Sequence, residues 1–144
     1  SAASDVYKRQ VLTNGYRKYQ IPLLKKAGLL GYLDFVITAD DLEKLKPHRV
    51  AFEKALKIAE ELGGSHVIFL GDNPYYDIYG ALNAGLENIF WITKEVSKGK
   101  YTVADLAEYI INFVKERYRI ELDLERFYNK TIHVINTCKT LLNL

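Results

Sequence analysis

The sequence has few of the features that mark secreted, membrane-bound or nucleic-acid-binding proteins. Its 144 residues contain a single cysteine, Cys138, which excludes an internal disulfide and fits a reducing cytosol. Its apolar runs are far too short to span a bilayer, and no secretory leader is visible. The formal net charge is only +2, so no strong field draws the chain to nucleic acid or to a membrane. We therefore expect a cytoplasmic protein with neither of these partners.

Glycine-rich nucleotide-binding motifs are also absent. The chain contains no Gly-x-Gly-x-x-Gly and no Gly-Lys-Thr/Ser loop, and its glycines do not cluster after the first predicted strand. A flavodoxin-like or Rossmann-like nucleotide binder is therefore an alternative without support. With 49% hydrophobic and 26% charged residues, the composition is that of one ordinary globular domain with a real core.

The most informative stretch begins with the apolar residues 67–70, a pattern typical of a strand buried on both faces. The run ends at Gly71 and Asp72, Asn73-Pro74 interrupts it, and a helix of small residues follows. Asp72 is thereby predicted at the carboxyl end of a strand, where ligands bind in open α/β sheets. A second carboxylate, Asp77, follows closely, and two such acids suit Mg²⁺, which takes oxygen ligands. A lone Asp after a strand is as often a helix cap, so the whole pattern carries this prediction.

Two weaker motifs precede this stretch. The first is Val11-Leu12-Thr13-Asn14-Gly15, which predicts a short strand followed by the Thr13 hydroxyl and a backbone made flexible by Gly15. Both groups can face an anion. Taken alone, a plain turn is the favoured alternative. Lys46-Pro47 opens a helix predicted over residues 50–62, and a lysine fixed in this way can direct its ammonium into a site. On spacing alone, a solvated surface lysine is favoured. We interpret the neighbouring His48 as a surface residue, and the Asp40-Asp41 pair as loop acids or a cap.

Together, the three motifs resemble those of the haloacid-dehalogenase-like (HAD) hydrolases, in the same order, from about residue 11 to residue 93. The resemblance implies an α/β fold, a three-layer Rossmann-like parallel sheet with flanking helices. It also implies Mg²⁺-dependent hydrolysis of a small phosphorylated metabolite through an aspartyl-phosphate intermediate. An acid at position 72 indicates a phosphatase rather than one of the metal-independent dehalogenases. By this resemblance, Thr13, Asn14 and Lys46 bind phosphate, and Lys46 also stabilises charge. Asp72 is a Mg²⁺ ligand, and Asp77 orients a metal-bound water or Lys46. Lys46 and Asp77 are thus the implied catalytic positions.

The family's first motif, an Asp-x-Asp that carries the nucleophile, does not occur in this chain. The cap domain expected between the first and second motifs is missing too. We therefore expect the C-terminal part of a phosphatase, weakly stable and inactive alone. The alternative is a non-catalytic module that binds phosphate or Mg²⁺, which a native start codon just before Val11 would favour.

The domain organisation follows from these motifs. Residues 1–10 show no helical or strand period and are predicted to be a non-native leader, such as a cloning or read-end scar. Residues 11–100 are predicted to form the HAD-like core, incomplete at its N-terminus. Residues 101–144 are predicted to be a helical extension, opened by a capping box of Thr102 and Asp105. Its later apolar residues recur at spacings of four and three, as in a coiled coil, but the pattern is short and impure. Packing on the chain's own domain is therefore favoured over a dimer contact, and the oligomeric state stays open.

Overall fold

The structure, a computed structural model, describes residues 7–137 of the chain. The chain divides into two compact units, Ser1–Val67 and Ile68–Leu144. This division falls inside the stretch 11–100 that the sequence suggested as one core. Among residues 7–137, no helix combines the length and the apolar character needed to cross a membrane.

The first unit is built on a two-stranded parallel sheet. Val11 of β1 pairs with Val36 of β2, and the strands run in register along their length. The elements of this unit are β1 (Gln10–Leu12), α1 (Arg17–Lys26), β2 (Phe35–Ile37) and α2 (Arg49–Glu61). Gln10, which the leader prediction included, is the first residue of β1. Because β1 ends at Leu12, Thr13 lies at the carboxyl end of a parallel strand, as expected.

The two helices of this unit differ in how they are held. α2 buries Ala51 and Phe52, which join Val36 and Ile37 in the core. α1 buries no side chain completely. It ends before Gly28, whose φ of +73° is the left-handed conformation expected of a helix-terminating glycine.

The second unit is a four-stranded sheet in the order β3-β4-β6-β5. β3, β4 and β6 are parallel, and β5 is antiparallel to β6. The elements are β3 (Phe69–Gly71), α3 (Gly80–Asn83), β4 (Ile89–Ile92), β5 (Gly99–Thr102), α4 (Val103–Tyr118) and β6 (Thr131–Ile135). Parallel pairing and flanking helices confirm the α/β class predicted from the sequence. The largest fully buried side chains of this unit are Trp91, Ile78, Ile89, Ile110, Leu124 and Ile132.

The C-terminal region differs from the predicted helical extension. α4 does open with the predicted capping box of Thr102 and Asp105. Residues 131–135, however, form β6, which lies between β4 and β5. The spacing of four and three that suggested a helix is carried here by a mostly β-branched segment, and such residues favour a strand once partners are available on both sides. Cys138 and Leu142, also part of that pattern, lie outside the described residues.

The strand before Asp72 also differs from the prediction. Residues 67–70 were expected to be buried on both faces, but Ile68 is 61% exposed and Leu70 is 37% exposed. The prediction of full burial is therefore wrong for this strand. The physical reason is the position of β3 at the end of the four-stranded order, where only one neighbouring strand of that sheet covers it.

Candidate functional site

In the first unit, the side chain of Asn14 connects the end of β1 to the segment before α2. Its Oδ1 accepts a hydrogen bond from the Lys46 N–H at 2.9 Å, and its Nδ2 donates to the Lys46 carbonyl at 3.0 Å. One carboxamide therefore satisfies both backbone groups of Lys46. The structure thus brings the predicted phosphate-binding residues Asn14 and Lys46 together. No local signal in the sequence links Asn14 to Lys46, because the two residues are 32 positions apart.

Thr13 adopts a turn that leaves polar groups near the end of β1. Its Oγ1 accepts from the Gly15 N–H at 3.0 Å and donates to Gln20 Oε1 at 3.3 Å. The Thr13 N–H donates to the Ile37 carbonyl and so extends the β1–β2 pairing by one residue. Within residues 7–137, the Asn14 N–H donates to no acceptor. A hydroxyl beside an available backbone N–H is the arrangement that suits an anionic oxygen.

Asp40 and Asp41 support the fold of the first unit, which confirms their interpretation as loop acids and a cap. Asp40 Oδ1 accepts from the Arg17 N–H at 2.7 Å, and this bond lowers the pKa of Asp40 below its ordinary value. Asp41 Oδ2 accepts from the Thr38 N–H at 2.9 Å, which is the main reason that the pKa of Asp41 is also lowered. His48 is exposed and caps α2 by accepting from the Val50 N–H. None of these three side chains is required for the proposed chemistry.

In the second unit, Asp77 is a buried positioning group. It is only 6% exposed, and its Oδ2 accepts hydrogen bonds from the N–H groups of Asp72 and Asn73, at 3.1 and 3.0 Å. Gly71 permits this contact, because a Cβ there would lie 2.7 Å from the carboxylate carbon of Asp77. The carboxylate of Asp77 therefore fixes the backbone from which Asp72 projects.

The loop after β3 is held from three further directions. Trp91 Nε1 donates to the Asp72 carbonyl at 3.1 Å. Asn73 Oδ1 accepts from the N–H groups of Tyr75 and Tyr76 and starts the π-helical segment Pro74–Tyr79. Asn73 Nδ2 donates to the Tyr118 hydroxyl at 2.9 Å. With its backbone fixed, the exposed side chain of Asp72 lies at the carboxyl end of β3, as predicted.

Tyrosines that looked scattered in the sequence gather beside this loop. The rings of Tyr75 and Tyr79 stack with centroids 5.7 Å apart, and the ring of Tyr76 lies 5.2 Å from that of Tyr118. Burial, together with the neighbouring Tyr118 hydroxyl, raises the pKa of Tyr76. The cluster anchors the end of α4 to the Asp72 loop. No local pattern in the sequence predicts the cluster, because Tyr118 is far from the loop along the chain.

The residues of the loop fit part of a Mg²⁺ site. Mg²⁺ is commonly held by one or two carboxylates, with waters and substrate phosphate completing the octahedron. Asp72 supplies one exposed carboxylate of this kind. The part of the chain that the structure describes contains no group of three or more His, Cys, Asp or Glu side chains that could enclose a metal. The donor set therefore suits an ion shared with substrate rather than an all-protein cage.

The structure places the five predicted residues in two sets. Thr13, Asn14 and Lys46 belong to the first unit, and Asp72 and Asp77 belong to the second. Each set lies after the carboxyl end of a parallel strand and is fixed by its own hydrogen bonds. The first set suits phosphate oxygens, and the second suits a hard cation.

Comparisons with known proteins show the family of this chain. The sequence model for the haloacid dehalogenase-like hydrolase family matches residues 2–91. A glyceraldehyde 3-phosphate phosphatase of Pyrococcus furiosus is 30% identical over 132 residues, which cover 88% of this chain and 52% of the relative. This chain thus spans about half the length of that relative.

Two solved structures are similar in fold. The HAD phosphatase from Thermococcus onnurineus aligns with a TM-score of 0.54 and 33% identity, over 67% of this chain and 44% of that one. The putative HAD-hydrolase YfnB from Bacillus subtilis, bound to magnesium, aligns with a TM-score of 0.62 and 17% identity, over 99% of this chain and 49% of that one. At that identity, the second likeness concerns the fold alone.

Proposed function

Because the chain belongs to the haloacid dehalogenase-like hydrolases, we propose that the full-length protein is a Mg²⁺-dependent phosphatase of a small phosphorylated metabolite. The phosphatases among its relatives support a phosphorylated substrate. These 144 residues lack an Asp-x-Asp motif. We therefore place the nucleophile of the reaction in a part of the protein outside them.

The observation that carries the proposal is the hydrogen bonding of Asp77. A buried carboxylate that accepts from the two N–H groups of the Asp72 loop commits its charge to positioning. Asp72 is thereby presented as an exposed residue on a fixed backbone. Such preorganisation is what an electrostatic role in phosphoryl transfer needs, since the ligand is in place before the substrate arrives.

The residues of the first unit bind and orient the phosphoryl group in this proposal. The Thr13 hydroxyl and the Asn14 N–H donate hydrogen bonds to its oxygens, and the Lys46 ammonium neutralises charge that develops on them. Asn14 also keeps Lys46 in place through the two bonds to its backbone. In the second unit, Asp72 would hold Mg²⁺, which would supply Lewis-acid stabilisation of charge on phosphoryl oxygens. Attack on phosphorus by an aspartate from outside these residues then breaks the ester P–O bond, releases the alcohol and gives an aspartyl-phosphate, which water hydrolyses to inorganic phosphate and the free aspartate.

The 144-residue chain alone is proposed to be inactive. It contains phosphate-binding and metal-binding residues but no Asp-x-Asp nucleophile. Addition of the upstream part of the protein is therefore expected to restore turnover, whereas addition of Mg²⁺ to the chain alone is not.

The test is hydrolysis of p-nitrophenyl phosphate by the full-length protein, with and without Mg²⁺. We expect Mg²⁺-dependent turnover that Asp72→Asn lowers by at least about a hundredfold, the scale of losing one preorganised charge-stabilising group. Glu87→Gln is the matched control, because Glu87 is an exposed acid in the same unit. Full activity of Asp72→Asn, or turnover by the 144-residue chain alone, would contradict the proposal.

A further inference from the structure

A cleft of about 300 Å³ lies within the second unit, next to Asp72. One side is the loop after β3, another is the end of β4 with the segment up to Glu95, and the third is one face of α4. Its volume is at the lower end of the range for small-molecule sites, so it suits one part of a ligand rather than a large molecule.

The α4 side of the cleft is aromatic. Tyr109 and Phe113 are four residues apart and therefore lie on the same face of the helix. Tyr109 is 37% exposed, and its ring centroid lies 5.5 Å from that of the buried Trp91. The core-facing side of α4 is a different one, formed by residues that include Leu106 and Ile110. The two cleft aromatics are thus not required to fill the core, and a flat ligand would cover them.

The cleft also offers one cation and one anion. Arg117 continues the face of Tyr109 and Phe113 by another four residues. Across residues 7–137, its guanidinium makes no hydrogen bond or ion pair. The Glu95 carboxylate likewise has no such partner in this part of the chain, since only the Glu95 backbone N–H is bonded, to Thr93 Oγ1. The cleft can therefore both donate to and accept from a ligand.

We propose that this cleft binds the leaving group of the substrate, and that this group carries a nucleobase-like ring, as in a nucleoside monophosphate. The ring stacks on Tyr109 and Phe113, the way bases stack on aromatic side chains. Arg117 donates to ring acceptors, and Glu95 accepts from an exocyclic amine. The inference rests on the proposed phosphatase function for the position of the phosphoryl group near Asp72. A sugar phosphate without a ring would leave the aromatic side uncovered.

The direct test is binding of cytidine, with ribose as the ringless control. The indole N–H of Trp91 is a single NMR signal, because the chain has one tryptophan, and it reports on the cleft through its bond to Asp72. We expect cytidine to shift this signal and ribose to leave it unchanged. Phe113→Ala should weaken cytidine binding about tenfold, the effect of losing one base–aromatic stack. Arg117→Ala should weaken it as well, whereas Lys115→Ala, an exposed cation on the same helix, should not.

The second test uses the full-length protein and also covers the case in which the 144-residue chain does not fold alone. We expect Phe113→Ala to lower kcat/KM for cytidine 5′-monophosphate about tenfold and to leave ribose 5-phosphate unaffected. Equal hydrolysis of both compounds, with equal effects of the variant, would overturn the cleft proposal and leave the phosphatase function intact. If no phosphate ester is hydrolysed, a cytidine-induced shift of the Trp91 signal that Phe113→Ala weakens would support the cleft, and no shift would overturn it.

Discussion

The loop that presents Asp72 depends on the carboxylate of Asp77, and Asp77→Ala tests this dependence. The substitution removes the acceptor of two backbone hydrogen bonds, from Asp72 and Asn73. Hydrogen bonds to a charged group contribute about 1.5–3 kcal/mol each. Asp72 is exposed, so water replaces its bond at low cost, whereas the half-buried Asn73 N–H loses more. The expected loss is therefore ~3 kcal/mol, at the lower end of the range for two such bonds.

The assay is urea unfolding of the full-length protein, with the free energy taken from midpoints and slopes. Asp105→Ala is the matched control. The Asp105 carboxylate also accepts a backbone N–H, from Thr102 at 3.1 Å, but it is exposed at the start of α4. Its removal should cost only about 0.5–1 kcal/mol, as expected for a solvated capping residue.

The comparison separates burial from hydrogen bonding as such. Asp77→Asn keeps one acceptor oxygen and should lie between the two alanine variants. If Asp77→Ala destabilises no more than Asp105→Ala, then Asp77 does not hold the loop. Asp72 would then not be positioned before the substrate arrives.

Three further predictions concern Gly71, Asn14 and Asp41. Gly71→Ala should cost about 1–3 kcal/mol in urea unfolding, because its Cβ would displace the buried Asp77 carboxylate; no loss would refute the close approach. Asn14→Ala should cost about 1–2 kcal/mol by the same assay, since both bonds to the Lys46 backbone disappear; an unchanged midpoint would contradict this. Because the pKa of Asp41 is lowered, its carboxylate contributes stability that is fully present above the unfolded value of 3.8 and is lost as the pH falls below it. Asp41→Asn should therefore flatten the acid side of the pH–stability profile. An unchanged acid slope would show that Asp41 makes no such contribution.

The local parts of this fold were predictable because their signals are local. A short apolar run ending in Thr13 gave β1. Thr102 with Asp105 marked the start of α4. In each case, residues within a few positions of each other determine the backbone conformation.

The parts that were missed depend on partners distant in sequence. β6 was predicted to be helical because the apolar residues of this region recur at spacings of four and three, whereas pairing with β4 and β5 makes the segment a strand. The exposure of Ile68 depends on the place of β3 in the strand order. The bond between Asn73 and Tyr118 joins residues 45 positions apart, and no local pattern announces it.

The absence of buried side chains in α1 has a consequence for the mobility of the turn at Thr13 and Asn14, which is proposed to bind phosphate. A ten-residue helix is marginal unless tertiary contacts hold it. Arg17 and Gln20 tether its first half through side-chain hydrogen bonds to Asp41 and Thr13. Amide hydrogen exchange should therefore be fastest in the second half of α1 and slower towards Thr13. A phosphate analogue bound at the turn would order this helix, so binding there includes an entropic cost that slower exchange in α1 would reveal.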